Sequence, residues 1–374
     1  MKSAKWLKAL ILIFVTPFFI FTGINSISLP DENSPKYIIL LIGDGMGLAH
    51  ITAAKVSKGS LVLEKMPVVG FVITWAFGRD FITDSAASAT ALSTGTKTSN
   101  GRIGKSAAGE DLETILEIAE KKGLSTGLIA TSSITHATPA SFAAHVNNRS
   151  QQFEIAKQIS QKDIEVLIGG GRQYFIPEDL PDGKRKDGEN LISLMVSRRY
   201  LYIDSVEKLK SLNPEKTEKL LALLEPEALP PASKRNYSLG ELSEIAIEIL
   251  KKDPDGFFLM VEGSQIDWAA HANEKDNVID ETIDFDEAIG SVLDFAFRNS
   301  EKTLVLVTAD HETGGFGILG GSADDRNVEG KFLTRGHTGV MVPLLAFGMK
   351  SDLFGGIKSN DEIGRILINI LNEE

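Results

Sequence analysis

Apolar residues in this chain gather into short continuous runs, each followed by a polar, glycine-rich stretch. Residues 37–42 (Tyr37-Ile38-Ile39-Leu40-Leu41-Ile42) form the clearest run. Its unbroken, β-branched make-up predicts a parallel-sheet strand buried on both faces. Similar runs predict strands over 68–74, 125–130, 165–168, 257–261, 303–309 and 343–347. Helical periodicity appears between them. Over 111–122, Leu112, Ile115, Leu116 and Ala119 share a face and Gly123 is the stop. Further helices are predicted over 242–252, 266–273, 277–297 and 361–371, and the acids of 277–297 are expected on a solvated face. A helix after Pro139 is expected to carry His145 and Arg149, with His145 structural. The alternation breaks at about 173–240, where Pro177, Pro181, Pro226, Pro230 and Pro231 cluster. That segment reads as a lid-like insertion with short helices over 206–212 and 215–224, and its basic run 184–186 as a solvated turn. The fold class is therefore α/β: a three-layer sandwich with a largely parallel central sheet and helices on both faces.

The polar stretches after the strands carry the candidate chemistry. The first strand runs into Gly43-Asp44-Gly45-Met46-Gly47, whose glycines permit a sharp turn. The strand at 257–261 ends at Glu262. The following helix puts Asp267 and His271 at i and i+4, on one face. The strand at 303–309 ends in Asp310-His311, and His337 sits in a separate glycine-rich loop. Ligands of open α/β sheets bind outside the carboxyl ends of the strands. Each residue alone has a plain structural role as a cap, turn or core histidine. Together they form an imidazole and carboxylate set suited to zinc. The small-residue run Asp84-Ser85-Ala86-Ala87-Ser88-Ala89-Thr90 predicts a tightly packed helix with Ser85 at its N-terminus. Backbone N–H groups there favour a negative charge, and a serine there also has the simpler role of helix cap.

Composition narrows the picture. The chain has 374 residues, no Cys and a formal net charge of −12. Disulfides, thiolate ligands and a cysteine nucleophile are excluded. The acidic surface disfavours nucleic acid as a dedicated partner. It would also repel an anionic substrate unless bound cations reverse the local field. Lys2, Lys5 and Lys8 precede an apolar run over 9–21 and then small polar residues. Residues 1–28 thus read as a signal peptide, or as an uncleaved membrane anchor, and imply a secreted or periplasmic protein.

From about Tyr37 to the C-terminus the chain resembles the alkaline phosphatases. The resemblance rests on Gly43-Asp44-Gly45-Met46-Gly47, Asp84-Ser85-Ala86-Ala87-Ser88, Ala137-Thr138-Pro139 with Arg149, Glu262 to Asp267 with His271, Asp310-His311 and His337-Thr338-Gly339, all in the family's order. It implies one catalytic domain over 37–374 that hydrolyses phosphate monoesters at alkaline pH. Ser85 would be the nucleophile that becomes phosphorylated, and Arg149 would grip two phosphate oxygens. It implies that Asp267, His271 and His337 hold one zinc and that Asp44, Asp310 and His311 hold a second. Asp44 would bridge to a third metal, normally magnesium, held with Thr138 and Glu262. Homodimers are usual in the family.

Two positions depart from the pattern. Well-known bacterial relatives place Asp where this chain has His136 and Lys where it has Trp268, and animal relatives place His at both. Imidazole suits zinc or cobalt better than magnesium. His136 therefore reads as a third-site ligand or a hydrogen-bonding neighbour of that site. Trp268 removes a cation near the phosphate. Two other readings stay open: a phosphodiesterase or related hydrolase of the same superfamily, and a non-catalytic extracytoplasmic metal- or phosphate-binding protein.

Overall fold

A computed structural model describes residues 34–373. The leader expected over 1–28 lies outside them. In chain order the strands are β1 (Tyr37–Gly43), β2 (Val68–Ile73), β3 (Ser125–Ser133), β4 (Val166–Gly170), β5 (Tyr200–Ile203), β6 (Lys219–Glu225) and β7 (Phe257–Gly263). They continue as β8 (Thr303–Thr308), β9 (Glu312–Thr313), β10 (Gly317–Ser322), β11 (Asn327–Lys331), β12 (His337–Thr338), β13 (Val342–Gly348) and β14 (Gly356–Ser359). The helices are α1 (Leu48–Lys58), α2 (Ser85–Thr94), α3 (Ile115–Lys121), α4 (Ala137–Ala143), α5 (Gln152–Gln161) and α6 (Leu191–Ser197). After them come α7 (Val206–Lys210), α8 (Leu239–Leu250), α9 (Gln265–Ala272), α10 (Lys275–Arg298) and α11 (Asn360–Asn372).

Ten strands form one sheet in the order β14-β2-β13-β8-β1-β7-β3-β4-β6-β5. β13 pairs antiparallel with both neighbours, and the other pairings are parallel. Helices α1, α8 and α10 pack as one group and α2, α3, α4 and α11 as another, flanking the sheet. This is the α/β class expected. Ile38 to Ile42 of β1 are completely buried. Each such side chain contributes about 1.5–3 kcal/mol through burial, so the strand carrying Asp44 is anchored at the centre of the core. No helix among the described residues is long and apolar enough to cross a membrane.

Several expectations are corrected. Residues 215–224 do not form one helix; a 3-10 turn ends at Lys216, and β6 takes up the rest from Lys219 and extends the sheet. Leu220 to Leu224 are all buried, as in a strand covered on both faces, rather than on one face of a helix. With β5, β6 makes the segment 173–240 part of the sheet edge rather than a cover over it. Helix α4 stops at Ala143, so His145 and Arg149 lie in the loop that follows. Helix α3 starts at Ile115, not at 111, because Thr114 accepts a hydrogen bond from the Glu117 N–H at 3.2 Å and caps it.

The α10 acids are not all solvated. Glu281, Asp284 and Asp286 are buried. The guanidinium of Arg235 reaches Asp284 at 2.7 Å, and Asp286 accepts from the Val62 and Leu63 N–H groups at 3.0 Å. Arg185, expected in a solvated turn, is also buried. It donates to the Phe153 and Tyr174 carbonyls at 2.9 and 3.0 Å. His145 is structural, as expected: Nε2 lies 3.0 Å from Glu117 Oε1 and Nδ1 lies 2.8 Å from the Gly104 carbonyl.

Glu117 ties α3 to the loop that carries Arg149. Burial pushes its carboxyl up, but hydrogen bonds from His145, Lys162 and the Thr114 N–H outweigh this and hold it at about 2, against 4.5 unperturbed. A depressed carboxylate adds stability above its unfolded pKa and loses it as pH falls towards its folded pKa. Glu117→Gln should therefore lower the thermal midpoint of metal-free protein at pH 6. The deficit should shrink on moving to pH 3, as differential scanning fluorimetry can check.

Candidate active site

The site begins with register. Ile42 of β1 pairs with Glu262 of β7 and with Thr308 of β8, and Ala130 of β3 also pairs with Glu262. Four parallel strands therefore deliver Asp44, Glu262, Asp310 and the turn containing His136 to one edge of the sheet. β12 pairs antiparallel with β9, with His337 opposite Thr313, and this sets His337 beside His311. Their rings stack with centroids 3.6 Å apart. Gly45 is in the left-handed region at φ +70°. A Cβ there would meet Thr313 Oγ1 at 2.7 Å and Asp267 Oδ1 at 2.9 Å, so the turn after β1 needs glycine on both counts.

Helix α2 supplies the serine. Its residues are all small apart from Leu92 and all are buried. Asp84, not Ser85, is the N-cap, and its carboxylate accepts from the Ala87 N–H at 2.9 Å. Ser85 is thereby freed from capping. Its Oγ lies 3.2 Å from His311 Nε2. The other Asp84 oxygen accepts from the Gly101 N–H at 3.0 Å and from Arg149 at 3.2 Å. Arg149 also donates to His136 Nε2 at 3.2 Å. The guanidinium is thus held at two corners beside Ser85's helix.

Three side-chain groups bring potential ligand atoms within 4.8 Å of one another: Asp267 with His271 and His337, Asp44 with Asp310 and His311, and Asp44 with His136 and Glu262. In the first, His271 Nε2 lies 3.1 Å from His337 Nε2 and 3.3 Å from Asp267 Oδ1. In the second, His311 Nε2 lies 3.4 Å from Asp44 Oδ1 and 3.3 Å from Asp310 Oδ2. Asp44 belongs to both the second and third groups. Ser132 and Ser264 donate to Glu262 Oε2 at 3.3 and 2.7 Å and so fix its orientation. His136 joins Asp44 and Glu262 in the third group, and the edge of its ring meets Trp268 at 5.7 Å between centroids. Thr138 Oγ1 is buried with no hydrogen-bond partner.

Electrostatics show what the groups are built for. Both Asp44 oxygens, Asp310 Oδ2, Glu262 Oε1 and His136 Nδ1 are buried and unpartnered. Burial, then the charges of Asp310, Asp267 and Glu262, push the Asp44 carboxyl far up. Burial raises Glu262 to about 7 despite its serine donors. Asp267 is held low: burial opposes ionisation, but the His271 hydrogen bond and the imidazoles of His311 and His337 prevail. The Asp267 hydrogen bond lifts His271 to about 9. Burial, then Arg149, lowers His136 to about 3, and burial lowers His311, so both rings are neutral at pH 7. Unpaired buried carboxylates are costly unless cations compensate them. The donors and the orphaned oxygens therefore fit divalent metal ions.

Some contributors carried no signal in the sequence pattern. Thr313 Oγ1 hydrogen-bonds to Asp267 Oδ1 and lies 3.2 Å from His311 Nδ1, linking two groups. Glu312 accepts from the Gly315 and Phe316 N–H groups and from Thr338 Oγ1, which staples the His337 segment in place. The role of Asp84 was readable, because Asp before a run of helix formers is a strong N-cap signal.

A largely parallel α/β sheet with a serine at a helix N-terminus and three adjoining groups of potential ligand atoms fits a metal-dependent hydrolase. A sequence-family model described as alkaline phosphatase matches residues 35–329. Alkaline phosphatase 3 of Bacillus subtilis (strain 168) is 38% identical over 341 residues, covering 84% of this chain and 71% of the relative. Alkaline phosphatase 4 of the same organism is 38% identical over 306 residues, covering 77% of this chain and 64% of the relative. The alkaline phosphatase from the Antarctic bacterium TAB5 superposes with a TM-score of 0.83 at 36% identity, covering 91% of this chain and 99% of that one. A histidine-to-glutamate variant of that enzyme has Mg bound in its M3 site. The chain belongs to the alkaline phosphatase family.

The buried charge makes a sign-reversing prediction. Asp44→Asn should raise the thermal midpoint in excess chelator, because it removes an uncompensated buried carboxylate. It should lower the midpoint in excess zinc, because it removes a ligand shared by two groups. Thermal unfolding of both proteins in both buffers checks it.

Proposed function

We propose that this chain hydrolyses phosphate monoesters through a phosphoserine intermediate on Ser85. The observation that carries the reading is Ser85 Oγ at the start of α2, 3.2 Å from His311 Nε2, in a pocket whose guanidinium is already oriented by Asp84 and His136. Ser85 Oγ forms the bond to phosphorus as the ester oxygen leaves as the alcohol. Water then cleaves the Oγ–P bond and releases inorganic phosphate. Arg149 matches two non-bridging oxygens with a planar fork, which a lysine would not. Asp84 and His136 hold that fork in place before substrate arrives, so little ordering remains at the transition state. The N-terminus of α2 favours the negative charge that Ser85 acquires.

Asp267, His271 and His337 would hold one zinc, and Asp44, Asp310 and His311 a second. Asp44, Glu262 and Thr138 would hold a third ion, magnesium or cobalt, with His136 at its edge. When bound, such ions supply Lewis acidity and a water ionised near neutral pH. Without such ions the carboxylates of Asp44 and Asp310 would repel a phosphate dianion.

The test compares p-nitrophenyl phosphate with bis-p-nitrophenyl phosphate before and after chelation. The monoester should turn over in preference to the diester, lose turnover in chelator and recover with zinc and magnesium. Preferential diester turnover would favour a phosphodiesterase. Ser85→Ala should abolish covalent labelling by radioactive phosphate at low pH, and normal labelling of that variant would refute the serine's role.

A further inference from the structure

We infer that the exposed apolar rim formed by Trp75, Phe81, Leu333, Val340 and Met341 binds the alcohol portion of the substrate, so that phosphate monoesters of apolar alcohols are preferred. The inference rests on the phosphatase reading and names the substrate class for that site.

The site reaches the surface at His271 and, at its other end, at Arg149 and Asp84. Asp44, Glu262, Asp310 and His311 are completely buried, whereas the His271 side chain is 38% exposed and that of His337 15%. With Arg149 holding the phosphate oxygens at one end, the ester oxygen and its alcohol extend past the His271 and His337 side. Two segments border it, and each holds one of those imidazoles by a backbone carbonyl. The Thr83 carbonyl lies 2.8 Å from His337 Nδ1, and the Arg335 carbonyl is hydrogen-bonded to His271 Nδ1. Two residues before Thr83 stands Phe81, and two residues before Arg335 stands Leu333.

Both of these residues face solvent. Phe81 is 54% exposed and Leu333 86%. Phe81 lies against the chain just past His337: a Cβ on Gly339 would be 2.1 Å from its ring. Its other neighbour is the half-exposed Trp75, with ring centroids 5.0 Å apart. Leu333 packs its Cβ side on Gly315, beside Thr338. Val340 and Met341, both exposed, follow on the His337 segment. Isolated exposed hydrophobics need no explanation, but apolar residues gathered on the segments that border a polar pocket mark a binding surface. A phosphate in the pocket leaves its alcohol at this rim, and burying alkyl or aromatic area there lowers the free energy of the bound ester.

The experiment measures kcat/KM of the metal-loaded full chain on ethyl phosphate and n-hexyl phosphate, whose alcohols are close in acidity. The unmodified chain should favour the hexyl ester by roughly tenfold, the scale of apolar discrimination in enzyme pockets. Leu333→Ser and Phe81→Ser should each cut that ratio by about fivefold and leave ethyl phosphate turnover within about twofold. Phe81→Leu should restore the ratio, because it keeps the apolar area. A ratio near unity in the unmodified chain would overturn the assignment, as would a ratio unmoved by either serine variant. If those variants instead shift the mass measured by light scattering and keep the ratio, a second copy of the chain occupies the rim and the assignment fails. Absence of turnover on both esters overturns the phosphatase reading along with it, whereas equal turnover of both overturns the rim alone.

Discussion

Asp44 is the constraint on which the rest depends: a carboxylate with no exposed surface and no hydrogen-bond donor on either oxygen. A side chain in that state is destabilising by itself, since burial penalises its charge and Asp310, Asp267 and Glu262 add repulsion. It persists because β1 lies between β7 and β8 in the middle of the sheet and cannot relax outward. The core thus holds a cluster of carboxyls whose ionised form bound cations would stabilise, and the same cations would make an acidic protein receptive to phosphate. Stability and function meet in one group of side chains.

Around that cluster the protein builds rigidity with ordinary devices. Asp84 performs three tasks with one carboxylate: it caps α2, binds the Gly101 N–H and orients Arg149. Because Asp84 takes the cap, Ser85 stands at the first helical position with its hydroxyl towards His311. Ser132 and Ser264 aim Glu262, and Thr313 joins Asp267 to His311. Each supporting group is a short hydroxyl or carboxylate with few rotamers, so positioning the site costs little side-chain entropy.

Much of this was legible in the sequence because parallel strands announce themselves as unbroken apolar runs. Strand-end residues then fall on one edge by topology alone, so Asp44, Glu262 and Asp310 could be grouped before any coordinates. Failures came where local pattern and tertiary environment diverge. Residues 215–224 read as helix, yet all but their first few residues enter β6, because a strand covered on both faces has no period to display. Glu281, Asp284 and Asp286 read as solvated acids, yet their partners Arg235, Leu239, Val62 and Leu63 come from distant segments. Arg185 was misread for the same reason. The meeting of His136 with Arg149 joins a helix cap to a loop beyond that helix, and no spacing rule marks it.

The most direct measurement is a count of divalent ions per chain by elemental analysis after exhaustive dialysis against metal-free buffer. The buried charge cluster predicts about three retained ions per chain, one for each group of ligands, with zinc the majority species. A chain that remains folded with none retained would contradict the account, because the buried, unpartnered oxygens of Asp44, Asp310 and Glu262 would then not be a cation site.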